Sequence, residues 1–188
     1  MAQNLDVHVG DTWVADETVL KLDKGIQIWF WDIEDSKIRF LLASHMSVTR
    51  GIQDAKQLMM KAYQTAKKHP RAIITDKLAA YLDGIELVFG ADAKHVQSKG
   101  FTVEPNTNLI ERFHGTLKAR TKVMRGMHNR ETARLIMDGW LVHYNFFRPH
   151  ESLADRTPAS VAKASFPYYS WKDVVIANNI KGQQCASI

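Results

Sequence analysis

The chain has 188 residues, 45% of them hydrophobic and 24% charged, and a formal net charge of +5. These are the proportions of a soluble globular protein, and the length suits one domain that buries its core without staples. A lone cysteine, Cys185, excludes a disulfide framework or a cysteine zinc site. No apolar run reaches the roughly 18 residues of a membrane span, and the opening MAQNLDVHVGD lacks the basic start and apolar middle of a signal peptide, so the cytoplasm is the expected compartment.

In chain order, TWVADETVLKL (12–22) partly alternates, and as a strand it sets Thr12, Val14, Asp16, Thr18 and Leu20 on one face. GIQIWFWDI (25–33), rich in aromatic and β-branched residues, predicts a second strand. Glu34, Asp35 and Ser36 read as a turn, and KIRFLLASHM (37–46) as a third strand, so the chain opens with an antiparallel meander. From Thr49 to His69 the pattern changes: Ile52, Ala55, Leu58, Met59, Ala62, Tyr63 and Ala66 recur at helical spacing until Pro70. RAIITD (71–76) is a short buried-type strand, LAAYLDGI a short helix, and ELVFG and KHVQ are weak strands. Helices are expected at about 107–124 and 129–146, and a short one in TPASVAKA (157–164) with Pro158 in its first turn. The order predicts an α/β fold, a mixed five-stranded sheet flanked by helices, over residues 1–165, with a C-terminal tail (166–188) packed on it.

Charge is segregated along the chain. Residues 1–35 hold eight acids and two bases, whereas residues 112–134 hold seven bases and one acid, Glu131. The basic stretch reads as a surface for a polyanion, and the acidic one as a place to hold cations. Three acids stand out. Asp16 lies mid-strand, where an ionised carboxylate wants a metal, water or a lysine partner. Asp76 closes an apolar strand and also suits a helix N-cap. Glu111 heads the basic run and also completes a capping box with Asn108.

Together the three make a pattern. Asp76 and Glu111 are separated by 34 residues, and an Asp, a second Asp after a later strand and a Glu on a helix resemble the acidic triad of DDE transposases and retroviral-type integrases. WVADET resembles the first-Asp strand of bacterial and archaeal insertion-sequence transposases, IITDKLAAY the second-Asp segment and NLIERFHGTLKAR the Glu helix. HYNFFRPHESLADRTPAS (143–160) resembles the stretch that closes many such domains, so the likeness spans about residues 11–162. It implies an RNase H-like fold and a nucleic-acid strand-transfer enzyme that nicks DNA and joins 3′-hydroxyls. It further implies that Asp16, Asp76 and Glu111 hold two Mg²⁺ ions, with Mn²⁺ as substitute. A cation between Glu111 and a phosphate reverses the local sign, which accounts for an acid at the mouth of a basic helix.

Arg112, His114, Lys118, Arg120, Lys122, Arg125 and Arg148 are then the candidate DNA contacts, with Lys118 two helical turns from Glu111 and Gly115 leaving room for a close backbone. The implied partners are transposon ends and target DNA, and a second copy of the chain in a dimer or larger assembly, with no membrane and a nucleoid location. Only 15 residues precede Asp16, too few for the end-reading domain common in full-length relatives, so the expectation is an excised or decayed catalytic core. Lys77 and Leu78 also stand near where many relatives have a glycine. A nuclease or resolvase that only cuts, and a DNA-binding remnant, are the alternatives.

Overall fold

The structure, a computed structural model, describes residues 6–22, 25–98, 107–123, 127 and 129–176; Arg125 and Cys185 lie outside these. Strands β1 (Thr12–Lys21), β2 (Gln27–Asp35) and β3 (Leu41–Ser47) form the expected antiparallel meander. β4 (Ala72–Thr75) then pairs in parallel with β1, and β5 (Lys94–Gln97) in parallel with β4, giving the order β3-β2-β1-β4-β5. Parallel neighbours need crossovers. Helices α1 (Ile52–Ala66), between β3 and β4, and α2 (Ala79–Phe89), between β4 and β5, supply them.

Alternate residues of the central strands face opposite sides of the sheet, and each side has its own core. Trp13, Trp31 and Ile33 pack with Ala55 and Leu58 of α1 and Tyr81 of α2. Val14, Phe30 and Leu41 pack with Ile110, Phe113 and Leu117 of α3 (Asn108–Val123) and Met137 of α4 (Arg130–Val142). Asp16 and Glu17, adjacent on β1, are thereby sent to opposite faces at the same level of the sheet.

Three expectations need correcting. Glu34 and Asp35 are not in a turn; they end β2 and, like Asp32, are fully buried. Asp35 is tolerated there because its carboxylate accepts backbone N–H groups of Gly10, Lys37 (2.8 Å) and Ile38 (2.9 Å). ELVFG is not a strand but the last turns of α2, since Ile85 and Phe89 keep the helical spacing that buries them. The long C-terminal helix ends at Val142 and continues as a π turn, His143–Phe147, closed by the Arg148 N–H on the His143 carbonyl at 2.9 Å.

A short helix, α5 (Pro158–Val161), is capped by the Thr157 side chain. Further on, Phe166 stacks on Phe146 at 4.2 Å and Trp171 meets Phe147 edge-on at 5.3 Å. Among the described residues, no helix is long and apolar enough to cross a membrane.

Candidate active site

Asp16 stands on β1 and Asp76 directly follows β4, the parallel neighbour of β1. Their carboxylates meet. Oxygens of Asp16, Glu17 and Asp76 all lie within 4.8 Å of one another. Asp76 does not cap α2; its Oδ1 accepts the Leu78 N–H at 2.8 Å in a local turn, which fixes the carboxylate at the strand end. The Glu17 side chain is 1% exposed. One of its oxygens takes two donations from Arg50, and the other, Oε2, is buried. Burial lifts the Glu17 carboxyl above its ordinary range, against the pull of Tyr81 and Arg50. Glu17 and Arg50 were missed in the sequence, although the adjacent acids of ADET were a usable signal: on a strand, neighbours reach both faces at one level.

Asp16 is braced from the other side. It is the cross-strand partner of Asp32, and like charges directly opposite repel. His114 of α3 resolves this. Its Nδ1 lies 3.4 Å from Asp16 Oδ2 and its Nε2 3.1 Å from Asp32 Oδ2, while Ser44 donates to Asp32 Oδ1 at 2.5 Å. Burial alone would lower the imidazole pKa; hydrogen bonds to Asp16 and Asp32, and their charges, outweigh it and push it up to about 9. His114 is therefore an internal cation, buried between two acids, and not a group open to a nucleic acid.

Glu111 lies one turn before His114 on the same helix but outside the group of three acids. Its Oε1 accepts the Thr107 hydroxyl at 2.8 Å, and its N–H donates to the Thr107 carbonyl at 3.1 Å, so Thr107, not Asn108, opens the helix against it. Glu111 borders an open groove of about 830 Å³ along α3, shared with Asn108, Arg112, Gly115, Thr116 and Ala119. Arg112, Lys118, Arg120 and Lys122 are exposed on α3. Arg148 is half-buried, its guanidinium 5.9 Å from the Tyr144 ring centre.

The donor set suits a divalent cation. Its atoms are hard carboxylate oxygens close enough to share one ion.

The architecture, with Asp16 in the middle of β1 and Asp76 just after β4, is an RNase H-like fold. The HTLV-2 integrase catalytic core domain in complex with magnesium, in its dimeric form, is similar with a TM-score of 0.61 at 18% identity, over 83% of this chain and 96% of that one. The catalytic core domain of BIV integrase gives a TM-score of 0.55 at 14% identity, over 82% of this chain and 94% of that one. A chain of the simian T-cell lymphotropic virus intasome in complex with PP2A regulatory subunit B56 gamma gives 0.61 at 13% identity; the match covers 86% of this chain and 57% of that longer one. No curated protein is significantly similar in sequence. Residues 10–150 match the DDE domain of IS240-type transposases, and the chain belongs to that family.

Proposed function

We propose that the protein is a metal-dependent DNA transposase domain that nicks strands and transfers 3′-hydroxyl ends to target phosphodiesters, as a polynucleotidyl transferase. The observation that carries this reading is the meeting of Asp16 and Asp76 within 4.8 Å, 60 residues apart in sequence. Asp16 is the central ligand and Asp76 the second. Glu111 is the third, drawn from Thr107 when the site is filled; its support is its place one turn from His114, which touches Asp16. Two Mg²⁺ ions, or Mn²⁺, when bound would supply Lewis acidity to the attacking and leaving oxygens. The chain supplies the rest. His114 and Asp32 fix the Asp16 carboxylate, and the strand end fixes Asp76. Arg112, Lys118, Arg120, Lys122, Arg125 and Arg148 take phosphates, so binding weakens steeply with salt. The working form is an assembly of two or more copies on paired DNA ends, at the nucleoid.

The test is a pre-nicked oligonucleotide end incubated with target DNA and Mg²⁺ or Mn²⁺. Joined products are expected, and Asp16→Asn, Asp76→Asn and Glu111→Gln should each reduce them to background. Cleavage without joining would make the protein a nuclease; joining that survives the Asp76→Asn exchange would remove the acids from the chemistry.

A further inference from the structure

One basic residue sits inside the acidic cluster. Arg50, in the segment between β3 and α1, stacks its guanidinium 4.6 Å above the Trp29 ring centre. Its Nε donates to Glu17 Oε1 at 2.8 Å and its Nη2 donates to the same oxygen. That Nη2 also lies 3.8 Å from Asp76 Oδ2. The Arg50 side chain is 38% exposed and that of Glu17 1%, so the guanidinium closes the acid from the solvent side. Behind it, Glu17 Oε2 is buried, and the buried Tyr81 hydroxyl bears on the same carboxyl. A desolvated carboxylate is unstable as a charge unless a cation stays near. Arginine suits that task better than lysine. It keeps its charge at any working pH, and its flat fork both stacks on an indole and bonds a carboxylate.

We propose that Arg50 is an internal counter-ion that competes with the divalent cation: it masks Glu17, a reserve carboxylate, and draws on Asp76, holding metal affinity below what the full set of acids would give. The proposal rests on the metal-site reading of Asp16 and Asp76. Its sign separates it from a merely structural role. If Arg50 only ordered Asp76, losing it would loosen the site and weaken metal binding. As a competitor, its loss removes a positive charge and frees a fourth oxygen ligand, and binding tightens.

Titration of the DNA-free chain with Mn²⁺, followed by calorimetry and by the paramagnetic resonance signal of the free ion, reads this directly. Arg50→Gln should bind Mn²⁺ about tenfold more tightly than the unaltered chain. The gain should vanish in the double variant Glu17→Gln/Arg50→Gln. Unchanged or weaker binding by Arg50→Gln, or a gain that persists without Glu17, overturns the proposal. Circular dichroism checks folding; should Arg50→Gln be unfolded, Arg50→Lys carries the test, with a smaller gain expected and a loss of affinity counting against it. Asp76→Asn in the otherwise unaltered chain separates the two readings. If it leaves Mn²⁺ binding unchanged, the metal site fails and the counter-ion role with it; if it abolishes binding while Arg50→Gln fails to tighten it, only the counter-ion role falls.

Discussion

Asn145 pairs with a strand without belonging to one. Its amide accepts the Leu41 N–H and donates to the Leu41 carbonyl, both at 2.9 Å, at a position 1% exposed. It thereby ties the π turn to the start of β3. Asn145→Ala leaves two backbone groups buried and unpaired, so urea unfolding should show a loss of about 2–4 kcal/mol. Beside it, Tyr144 donates to the buried Glu34 at 3.2 Å and meets the His150 ring edge-on at 4.7 Å. The YN and RPH of the closing motif were visible in the sequence; their partners, 104 and 110 residues away, were not. Gly115 makes the opposite case, since a Cβ there would meet nothing within 4 Å. Gly115→Ala should raise stability by roughly 0.5–1 kcal/mol, because glycine is a poor residue within a helix. It should also weaken duplex DNA binding if the groove beside Glu111 takes a phosphate backbone, which a salt-controlled binding titration checks.

Helices α1 and α2 approach closely because Gly84 permits it. A Cβ on Gly84 would lie 2.7 Å from the Ala55 Cβ and 3.0 Å from the Lys56 backbone nitrogen, and neither can swing aside. Alanine is the better helix former by about 1 kcal/mol, yet Gly84→Ala should destabilise by about 1–3 kcal/mol, because the two helices must separate over a packed core. The double change Ala55→Gly/Gly84→Ala should recover part of the loss in the same melting experiment. This contact explains why α2 was only half legible. LAAYLDGI showed helical character, but ELVFG is apolar enough to suit a strand, and only packing against α1 decides it. The meander, α1 and β4 were readable because their periods are long or their composition is strongly β-branched. The misplaced turn at Glu34 and Asp35 followed from a sound rule, that acids avoid cores; it fails where the N–H groups of Gly10, Lys37 and Ile38 satisfy Asp35, and where Glu34, with one oxygen bonded by Tyr144, is held by burial toward its neutral form.

Across the whole molecule, the charge segregation seen along the chain becomes spatial. The acidic N-terminal stretch supplies β1 and β2, with Asp16, Glu17, Asp32, Glu34 and Asp35 on them, and the basic stretch supplies α3, which lies against that sheet. Asp16 and Asp76 were legible as a pair because one lies within its own strand and the other directly after one; the pairing of Asp32 with His114 was not, since it depends on the register of β1 against β2. Burying these charges links stability to pH. Burial, against the pull of Arg39 and Tyr144, raises the Glu34 carboxyl from 4.5 to about 8. The folded state thus holds a proton that the unfolded chain has released, and the stability from Glu34 is complete below pH 4.5 and lost as pH rises through 8. His114, lifted from 6.5 to about 9, acts in the same direction: its contribution is whole below 6.5 and lost through 9. His150 acts oppositely, lowered by burial and by Arg148 and Arg39 from 6.5 to about 4, so its contribution is present above 6.5 and lost as pH falls through 4. The acid-side effects of Glu34 and His150 oppose each other between about pH 4.5 and 6.5, whereas above that Glu34 and His114 act together. Scanning calorimetry without divalent ions should therefore find Tm nearly level between about pH 4.5 and 6.5 and falling from there to about pH 9. Glu34→Gln, neutral at every pH, should flatten the fall up to about pH 8 and leave the part up to 9 that belongs to His114. A variant that keeps the full decline would mean that Glu34 is already ionised at neutral pH, and that Arg39 and the Tyr144 hydroxyl suffice to hold a bare charge inside the sheet.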